Sequence, residues 1–425
     1  MSGGDLLGRD ARCLWHPYTQ HLLDTEPLPV ARAEGALLHL ADGRALIDAI
    51  SSWWATLHGH GRPELVAALG EQAARLDHTL FAGTTHEPGV ALAEELLACA
   101  PAGLTRVFYS DNGSTAVEVA LKMAYQAWLH AGEPDRRVFV ALEGSYHGDT
   151  FGAMAVSDPD PFFARFGPLL FEVRRVPADA AALESALTEL GPRAAGLIVE
   201  PLVQGAAGMR MHGADFVRAA RAACDRHGLP LIADEVMTGF GRTGALFACE
   251  RAGVAPDLMC LSKGLTGGIL PLAATLTTER LYEAFLSEDR ARTFFHGHTF
   301  TGNPIGCAVA RASLAICLAE DVPARLDAIG ARIEAHLRDA VGDAPGVRDL
   351  RRTGGIVALE LEPPAGDAAG YLARLGPRLR AFAVANGVLL RPLGNVLYAL
   401  PPACTTAEQV DRIASVMAAA TRSKD

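Results

Sequence analysis

The sequence predicts an α/β protein with a mostly parallel sheet in a large domain, followed by a smaller α+β domain. From about residue 100 to 280, short apolar runs alternate with helix-like segments, the pattern of a parallel sheet covered by helices. Half of the 425 residues are apolar and 20% are charged, as in a globular protein with a large buried core. A chain of this length exceeds one ordinary core, so more than one domain is expected.

The predicted strands are short apolar segments, several of them continuous, as in strands buried on both faces. They are TRVFYS (105–110), RVFVAL (137–142), AGLIVEP (195–201), LPLIADEV (229–236), DLMCLS (257–262) and LAATLTT (272–278). Between them, residues 114–132 and 214–228 have helical periodicity and end at glycine.

The pattern changes at about residue 322, where helices follow with a few strands, around residues 354–361 and 388–402. We therefore expect three parts. The N-terminal segment 1–60 packs with the small domain, residues 61–321 form the large domain, and residues 322–425 form the C-terminal small domain.

The composition and the termini argue against several kinds of partner. A net charge of −11 at pH 7 disfavours nucleic acid, whose phosphates need a basic surface. The N-terminus lacks the pattern of a signal peptide, and no uninterrupted apolar run approaches the length that spans a bilayer. The cysteines are scattered without a CxxC pair, which suits reduced thiols: Cys13, Cys99, Cys224, Cys249, Cys260, Cys307, Cys317 and Cys404. We expect a cytoplasmic protein without membrane or nucleic-acid partners.

The segment YSDNGSTAVEVALKMA offers a candidate phosphate site. A strand ends at Ser110, and a polar turn leads into a long helix whose first turn contains Gly113 and Ser114. Free backbone N–H groups and the positive end of the helix dipole attract an anion there. The same residues would also serve as an ordinary helix N-cap, and the stretch alone does not separate the two.

The segment LIADEVMTGFGRTG contains a G-x-G-x-x-G pattern at Gly239, Gly241 and Gly244. Its context differs from a dinucleotide site, because the acidic residues precede the glycines and the expected carboxylate about 20 residues later is missing. An NAD-dependent dehydrogenase is therefore a weak alternative. Asp234, at the C-terminal end of the strand, lies where open α/β sheets bind ligands, although it could instead cap a helix or form a buried salt bridge.

Lys263, in LMCLSKGLTGGILPL, follows an apolar strand and precedes a glycine-rich turn. Partial desolvation there would lower its pKa and make the amine nucleophilic, although most lysines are simply exposed charges. Lysine, a phosphate site and a strand-end carboxylate are together the groups that pyridoxal phosphate needs: a Schiff base, a phosphate anchor and a partner for the pyridine nitrogen. The sequence therefore predicts pyridoxal 5'-phosphate as the cofactor.

These segments and HGHTFTGNP (296–304) resemble the class III aminotransferases, which are fold-type I pyridoxal-phosphate transferases. The resemblance extends along nearly the whole chain, and it implies a homodimer with active sites at the interface. It implies that Lys263 forms the Schiff base, Asp234 contacts the pyridine nitrogen and Tyr146 stacks on the ring. The phosphate would be bound by Gly113, Ser114 and, from the partner subunit, Thr299.

Within this family the chain most resembles the members that aminate 8-amino-7-oxononanoate to 7,8-diaminononanoate in biotin biosynthesis, with S-adenosylmethionine as donor and a ping-pong mechanism. The matching stretches are LWHPYTQ, SSWWATLHGH, YHGDTFGAMAVSDP, EPLVQGAAGMRM and LLRPLGNVLYALPP. They imply a substrate pocket lined by Tyr18, Trp53, Tyr146, Asp149, Arg391 and Tyr398.

Trp53 and Trp54 are two of only four tryptophans. On a strand their side chains would point to opposite faces. We expect Trp53 to be a pocket wall, with apolar surface for a nine-carbon chain and a π face for a sulfonium cation. Trp54 would pack inward; two core tryptophans are the alternative. Arg391 would hold the substrate carboxylate with two hydrogen bonds.

Two positions depart from the pattern. His298 stands where many of the most similar enzymes have proline, and Met237 where many other class III members have glutamine. Because histidine at position 298 also occurs in relatives that use lysine, lysine stays open as the donor. Met237 argues against a generic ω-amino acid:pyruvate aminotransferase, which is kept as an alternative together with a catalytically silent cofactor-binding protein. The pairs His58/His60 and His296/His298 are interpreted as polar loop residues, with no metal site.

Overall fold

The computed structural model describes residues 3–23, 26–342, 344–364, 366–367 and 369–422. Its helices are α1 (Gly3–Cys13), α2 (Ser51–Trp54), α3 (Pro63–Arg75), α4 (Glu87–Cys99), α5 (Gly113–His130), α6 (Phe151–Val156), α7 (Ala180–Leu190), α8 (Ala214–His227), α9 (Ala248–Ala252), α10 (Glu279–Glu283), α11 (Pro304–Ala319), α12 (Val322–Val341), α13 (Leu375–Ala385) and α14 (Ala407–Ala420). Its strands are β1 (Val30–Glu34), β2 (Leu37–Leu40), β3 (Ala45–Asp48), β4 (Leu104–Ser110), β5 (Val138–Leu142), β6 (Val173–Val176), β7 (Ala194–Val199), β8 (Val203–Gln204), β9 (Arg210–Met211), β10 (Leu231–Asp234), β11 (Leu258–Leu261), β12 (Ala273–Thr278), β13 (Val347–Thr353), β14 (Ile356–Leu361), β15 (Val388–Leu389) and β16 (Val396–Ala399). Short 3-10 turns lie at Ala164–Leu169, Gly191–Arg193, Lys263–Thr266 and Arg290–Arg292.

A seven-stranded sheet of order β4-β12-β11-β10-β7-β5-β6 forms the centre of the large domain. Strand β12 runs antiparallel to β4 and β11, and the other neighbours are parallel. Every residue of β5, β7, β10 and β11 is buried, which explains their continuous apolar sequences. The six predicted strands and the α/β fold class are confirmed. The edge strand β6 was not predicted, since its sequence VRRV carries two arginines and no apolar run.

The N-terminal strands share a sheet with the C-terminal part of the chain. This sheet has the order β1-β2-β3-β15, and β15 pairs in parallel with β3, with Val388 opposite Ile47. A separate three-stranded antiparallel sheet in the C-terminal part of the chain has the order β13-β14-β16. The N-terminal segment thus contacts C-terminal strands.

The two tryptophans lie in a left-handed turn, so the strand geometry considered for them is wrong. Ser51, Ser52, Trp53 and Trp54 have φ values of 47°, 48°, 88° and 73°. Left-handed backbone costs side-chain-bearing residues about 1–2 kcal/mol each, so other contacts must hold this turn. The side chains still diverge, because Trp53 is 36% exposed and Trp54 only 5%.

The remaining expectations from composition concern cysteines and membranes. All eight cysteine thiols are free, and five of them are buried. Among the described helices, none combines the length and apolarity needed to cross a bilayer.

Candidate active site

Two predicted residues lie at the carboxyl edge of the central sheet. Asp234 ends β10, and Lys263 begins the turn that follows the neighbouring strand β11. The Asp234 carboxylate is 5% exposed; it accepts hydrogen bonds from Nδ1 of His147 at 2.7 Å and from the backbone N–H of Val236 at 3.1 Å. A buried salt bridge was one of the alternatives for Asp234, and His147 is the buried partner that this alternative requires. The outer nitrogen of His147, Nε2, is buried without a partner among the described residues.

The amine of Lys263 lies against the ring of Trp54. Its Nζ is 5.2 Å from the ring centroid, and the residue is half-buried. Burial lowers the pKa of Lys263, while the negative charges of Asp234, Glu200 and Asp149 oppose that shift. A larger fraction of neutral amine at a given pH follows, which suits a nucleophile. Trp54 packs inward as expected and also covers this lysine.

The beginning of α5 combines the two functions considered for it. Asn112 caps the helix: its side-chain oxygen accepts from Thr115 N at 3.0 Å, and Thr115 Oγ1 accepts from Asn112 N at 3.3 Å. The N–H groups before Thr115 have no acceptor within the helix and remain available to an anion. A Cβ on Gly113 would lie 2.6 Å from Val236 Cγ1, so only glycine fits beside Val236, two residues after Asp234.

Three of the predicted pocket residues form one hydrogen-bonded group. Asp149 Oδ1 accepts from the hydroxyl of Tyr18 at 2.6 Å and from that of Tyr146 at 2.9 Å, and the two hydroxyl oxygens are 3.1 Å apart. Burial is the largest cause that raises the pKa values of Tyr18 and Tyr146, and the hydrogen bonds of Tyr18 to Asp149 and of Tyr146 to Tyr18 raise them further. Both phenols therefore stay neutral hydrogen-bond donors.

Arg391 lies against the aromatic wall. Its guanidinium carbon is 4.3 Å from the Trp53 ring centroid and 5.9 Å from that of Tyr18. The two rings meet edge to face, with centroids 5.7 Å apart. Nη2 of Arg391 donates to the hydroxyl of Tyr371 at 3.2 Å, the one hydrogen bond of this guanidinium to a described residue. Trp53, Tyr18 and Arg391 thus lie together, as the resemblance implies.

Two predicted residues are placed differently. Tyr398 is fully buried on β16, and its hydroxyl accepts from Nε1 of Trp54 at 2.9 Å, so it supports Trp54 from behind. Thr299 lies on an exposed turn before α11. Within the described part of this chain, no hydrogen bond, ion pair or ring contact joins Thr299 to the residues at the sheet edge.

Sequence reasoning missed two buried residues. Glu200 follows β7 and accepts from the backbone N–H groups of Tyr146 at 3.1 Å and Gly205 at 3.0 Å. Burial raises the pKa of Glu200 to about 7. The strand-end argument that selected Asp234 would have found Glu200 as well, and His147 is adjacent to Tyr146 in a motif already singled out.

The remaining candidate motifs have structural roles. Gly239, Gly241 and Gly244 lie in consecutive turns, and the next helix, α9, begins only at Ala248, so the βαβ context of a dinucleotide site is missing here. Arg242, between these glycines, is fully buried and donates to backbone carbonyls at Pro401 (2.9 Å) and Trp54 (3.2 Å).

The histidine pairs differ from simple loop residues. His58 is buried, and its Nε2 lies 3.0 Å from Ser313 Oγ. Nε2 of His60 lies 2.9 Å from Oδ2 of Asp48. Nδ1 of His296 lies 3.0 Å from Lys122 Nζ. Over the described residues, no three His, Cys, Asp or Glu side chains come together as metal ligands would.

The family described as "Aminotransferase class-III" matches residues 19–421. The chain belongs to the class III aminotransferases. Among curated relatives, the adenosylmethionine-8-amino-7-oxononanoate aminotransferase of Synechococcus elongatus is 50% identical over 95% of this chain and 97% of its own. The enzyme of the same name from Geobacter sulfurreducens is 44% identical over 95% and 94%.

Solved structures of aminotransferases share the fold. The adenosylmethionine-8-amino-7-oxononanoate aminotransferase of Methanocaldococcus jannaschii has a TM-score of 0.94 and 34% identity over 99% of both chains. An amine transaminase from an uncultivated Pseudomonas species, in its PLP-bound form, has a TM-score of 0.88 and 33% identity over 96% of this chain and 98% of its own. The fold is therefore that of the pyridoxal-phosphate-dependent transaminases.

A class III aminotransferase uses pyridoxal phosphate as its cofactor, and the residues of this chain fit that group. Lys263 would supply the amine, the buried Asp234 would place a negative charge at the ring nitrogen, and the beginning of α5 would bind the phosphate.

Proposed function

We propose that this aminotransferase transfers an amino group from S-adenosylmethionine to 8-amino-7-oxononanoate, giving 7,8-diaminononanoate in biotin biosynthesis. Relatives with the matching name support the proposal. The observation that carries it is Arg391 lying over the Trp53 ring beside Tyr18. A guanidinium next to an aromatic wall suits an apolar chain that ends in a carboxylate.

The residues at the sheet edge would perform the chemistry in two half-reactions. Pyridoxal phosphate, when bound, carries the amino group from donor to acceptor and accepts electrons from the substrate carbon. Lys263, whose pKa is lowered by burial, would take the proton from the substrate carbon in one half-reaction and return one in the other. Asp234 would hold the ring nitrogen protonated, and His147 orients its carboxylate.

The pocket residues would bind and orient the two substrates. Arg391 would hold the carboxylate of 8-amino-7-oxononanoate, and the face of Trp53 would contact its carbon chain. The same π face and the nearby carboxylate of Asp149, hydrogen-bonded to Tyr18 and Tyr146, suit the positive charge of a sulfonium donor.

We infer further that the enzyme is a cytoplasmic homodimer whose Thr299 contacts the cofactor phosphate bound by the partner subunit. Apolar side chains that a single chain leaves exposed support a second copy; among them are Trp15 (90% exposed), Leu22 (88%) and Phe295. The negative net charge supports the absence of a nucleic-acid partner.

We also propose a division into residues 1–60, 61–321 and 322–425, with the first part packed on the third. The pairing of β3 with β15 supports that packing.

Two alternatives concern the substrates. His298 is half-buried with Nε2 lacking a described partner, and Met237 Sδ faces the space above Gly205 beside Trp54. Since neither selects one amine, lysine remains an alternative donor for the same reaction. A generic ω-amino acid:pyruvate aminotransferase is the second alternative.

The visible spectrum of the holoenzyme tests the proposal. Loss of the cofactor's absorption band with S-adenosylmethionine, and its return with 8-amino-7-oxononanoate, is the expected result. A response to lysine instead of S-adenosylmethionine would change the donor. A response only to β-alanine would replace the function by the generic aminotransferase, and a bound cofactor that no amine changes would indicate a silent cofactor-binding protein.

A further inference from the structure

The turn that carries the two tryptophans needs an outside support. Its four residues, Ser51–Trp54, all have positive φ values, between 47° and 88°, in a region that residues with side chains adopt only when the surroundings enforce it. The ring of Trp53 reaches Arg391 from this turn. Whatever holds the turn therefore also holds one wall of the pocket.

Asp48, the last residue of β3, holds the first half of the turn. Its carboxylate is fully buried. Oδ1 accepts from Ser52 N at 2.9 Å and from Ile50 N at 3.4 Å, and Oδ2 accepts from Ser52 Oγ at 2.7 Å and is 2.9 Å from His60 Nε2. A buried carboxylate is costly to leave unpaired, so these bonds fix Ser52 and with it the backbone that leads into Trp53.

The two ends of the turn are held by different groups. Ser51 Oγ donates to Leu400 O at 2.8 Å, and Arg242 Nη2 donates to Trp54 O at 3.2 Å. The negative charge of Asp48 also acts on the buried guanidinium of Arg242. In the middle of the turn, Ser52 Oγ donates to Asp48 Oδ2 and lies 3.4 Å from His60 Nε2.

We propose that Asp48 is a positioning residue of the active site: through Ser52 it enforces the left-handed turn that holds the Trp53 ring against Arg391. Asp48 thereby sets the affinity for the substrates that contact Trp53, the amine donor among them, without touching them. The identities of these substrates rest on the proposed function, whereas the geometry of the turn does not.

Steady-state kinetics of Asp48→Ala tests the role. The expected result is a KM for the donor raised about tenfold or more, a kcat changed less than about threefold, and an unchanged cofactor band, since the residues at the sheet edge stay in place. Asp48→Asn should recover most of the affinity, because its amide oxygen can accept from Ser52 N–H. Asp42→Ala is the matched control, since Asp42 precedes the same strand and pairs with Arg44 at the surface.

A double-mutant cycle with Trp53→Ala separates positioning from general damage. If Asp48 acts through Trp53, Asp48→Ala adds no further increase in KM to Trp53→Ala. Independent, multiplying effects would overturn the proposal, and so would a loss of cofactor or of kcat with KM unchanged. If Asp48→Ala does not fold, Ser52→Ala, which removes only the hydroxyl bond, takes its place in the cycle.

The test of Asp48 does not depend on which amine is the donor. The cycle is measured with whichever amine discharges the cofactor band of the native enzyme, so failure of S-adenosylmethionine alters the donor and leaves Asp48 tested. A readout without substrate is acrylamide quenching of Trp53 fluorescence, taken as the difference between the native enzyme and Trp53→Phe. Asp48→Ala should increase this quenching, and an unchanged value would contradict the positioning role.

Discussion

The pKa and the orientation of individual side chains in the proposed pocket depend on their neighbours more than on their own chemistry. Lys263 has its pKa lowered by burial while Asp234 and Glu200 raise it; Arg391 is aligned by Tyr371 and the ring of Trp53. The pKa of Lys263 and the alignment of Arg391 therefore depend on contacts between distant parts of the chain.

Replacing Arg391 should change the KM values of the two substrates to different extents. We expect Arg391→Ala to raise the KM for 8-amino-7-oxononanoate by about 10- to 100-fold, the range for losing charged hydrogen bonds to a carboxylate, and the KM for the donor by much less. Arg391→Lys keeps the charge and loses the planar guanidinium. Its KM for 8-amino-7-oxononanoate should therefore lie between the values of the native enzyme and of Arg391→Ala. Steady-state kinetics with each substrate varied measures this.

A surface arginine in the same part of the chain provides the control for this prediction. Arg412 on α14 donates to the carbonyl of Asn386, and Arg412→Ala should leave both KM values unchanged. Equal losses for both substrates in Arg391→Ala would contradict the assigned role.

His58 should make the enzyme less stable in mild acid. Burial and the charge of Arg62 lower its pKa from 6.5 to about 4. Between those values the unfolded chain binds a proton that the folded chain excludes, so stability falls as the pH falls through that range. The loss attributable to His58 is about 2 kcal/mol between pH 7 and pH 5.

Chemical denaturation at the two pH values measures this effect. His58→Gln should be less sensitive to acid than the native enzyme by roughly that amount, whereas His21→Gln, at an exposed position, should behave like the native enzyme. A native-like pH dependence in His58→Gln would show that other groups cause the acid sensitivity.

At the scale of elements, the groups proposed to carry the chemistry lie at the carboxyl edge of the sheet. Asp234 ends β10, and Glu200 and Lys263 follow β7 and β11, the two neighbours of β10 in the sheet. The apolar runs predicted these strands, and the strand-end rule predicted where Asp234 and Lys263 lie.

The left-handed turn at Ser51–Trp54 could not be predicted from the sequence. Besides the nearby Asp48, the turn is supported from far along the chain, for example by the carbonyl of Leu400 and the hydroxyl of Tyr398. The local sequence carries no record of these distant contacts. For the same reason the burial of Tyr398 behind Trp54 was not anticipated.

The cap of α5 should affect both stability and cofactor binding. Asn112→Ala removes a capping box and should cost about 1 kcal/mol of stability. Since the freed N–H of Thr115 loosens the turn that would hold the phosphate, cofactor affinity should fall as well. Thermal unfolding and a cofactor titration of the apoenzyme measure the two effects.

A second capping box provides the matched control. Thr406 caps α14 with the same pair of bonds to Gln409, far along the chain from the predicted phosphate site. Thr406→Ala should cost a similar free energy of unfolding and leave cofactor affinity unchanged. A fall of affinity in both variants would mean that Asn112 acts only through global stability.

For the whole molecule, the proposed substrate pocket lies where three stretches of the chain meet. Tyr18 and Trp53 come from the N-terminal segment, Tyr146 and Asp149 from the central part, and Arg391 from the C-terminal part. The proposed dimer would add a fourth contribution, Thr299, which has no described contact to the sheet edge of its own chain.

Mixing two inactive variants tests whether Thr299 acts across the dimer. Lys263→Ala removes the reactive amine, and Thr299→Asp places a negative charge against the cofactor phosphate, so each variant alone should be inactive. After random reassociation, about half of the dimers are mixed, and each mixed dimer regains one site with both native residues. About a quarter of native activity should return.

The pairing of Lys263→Ala with Asp234→Ala is the control, because both residues belong to one chain's site and no mixed dimer restores it. Native mass spectrometry of differently tagged chains reports how many mixed dimers form. If they form and only the first pair regains activity, each site is composite. If Thr299 instead acts within its own chain, both sites of the mixed dimer lack one native residue, and neither pair recovers.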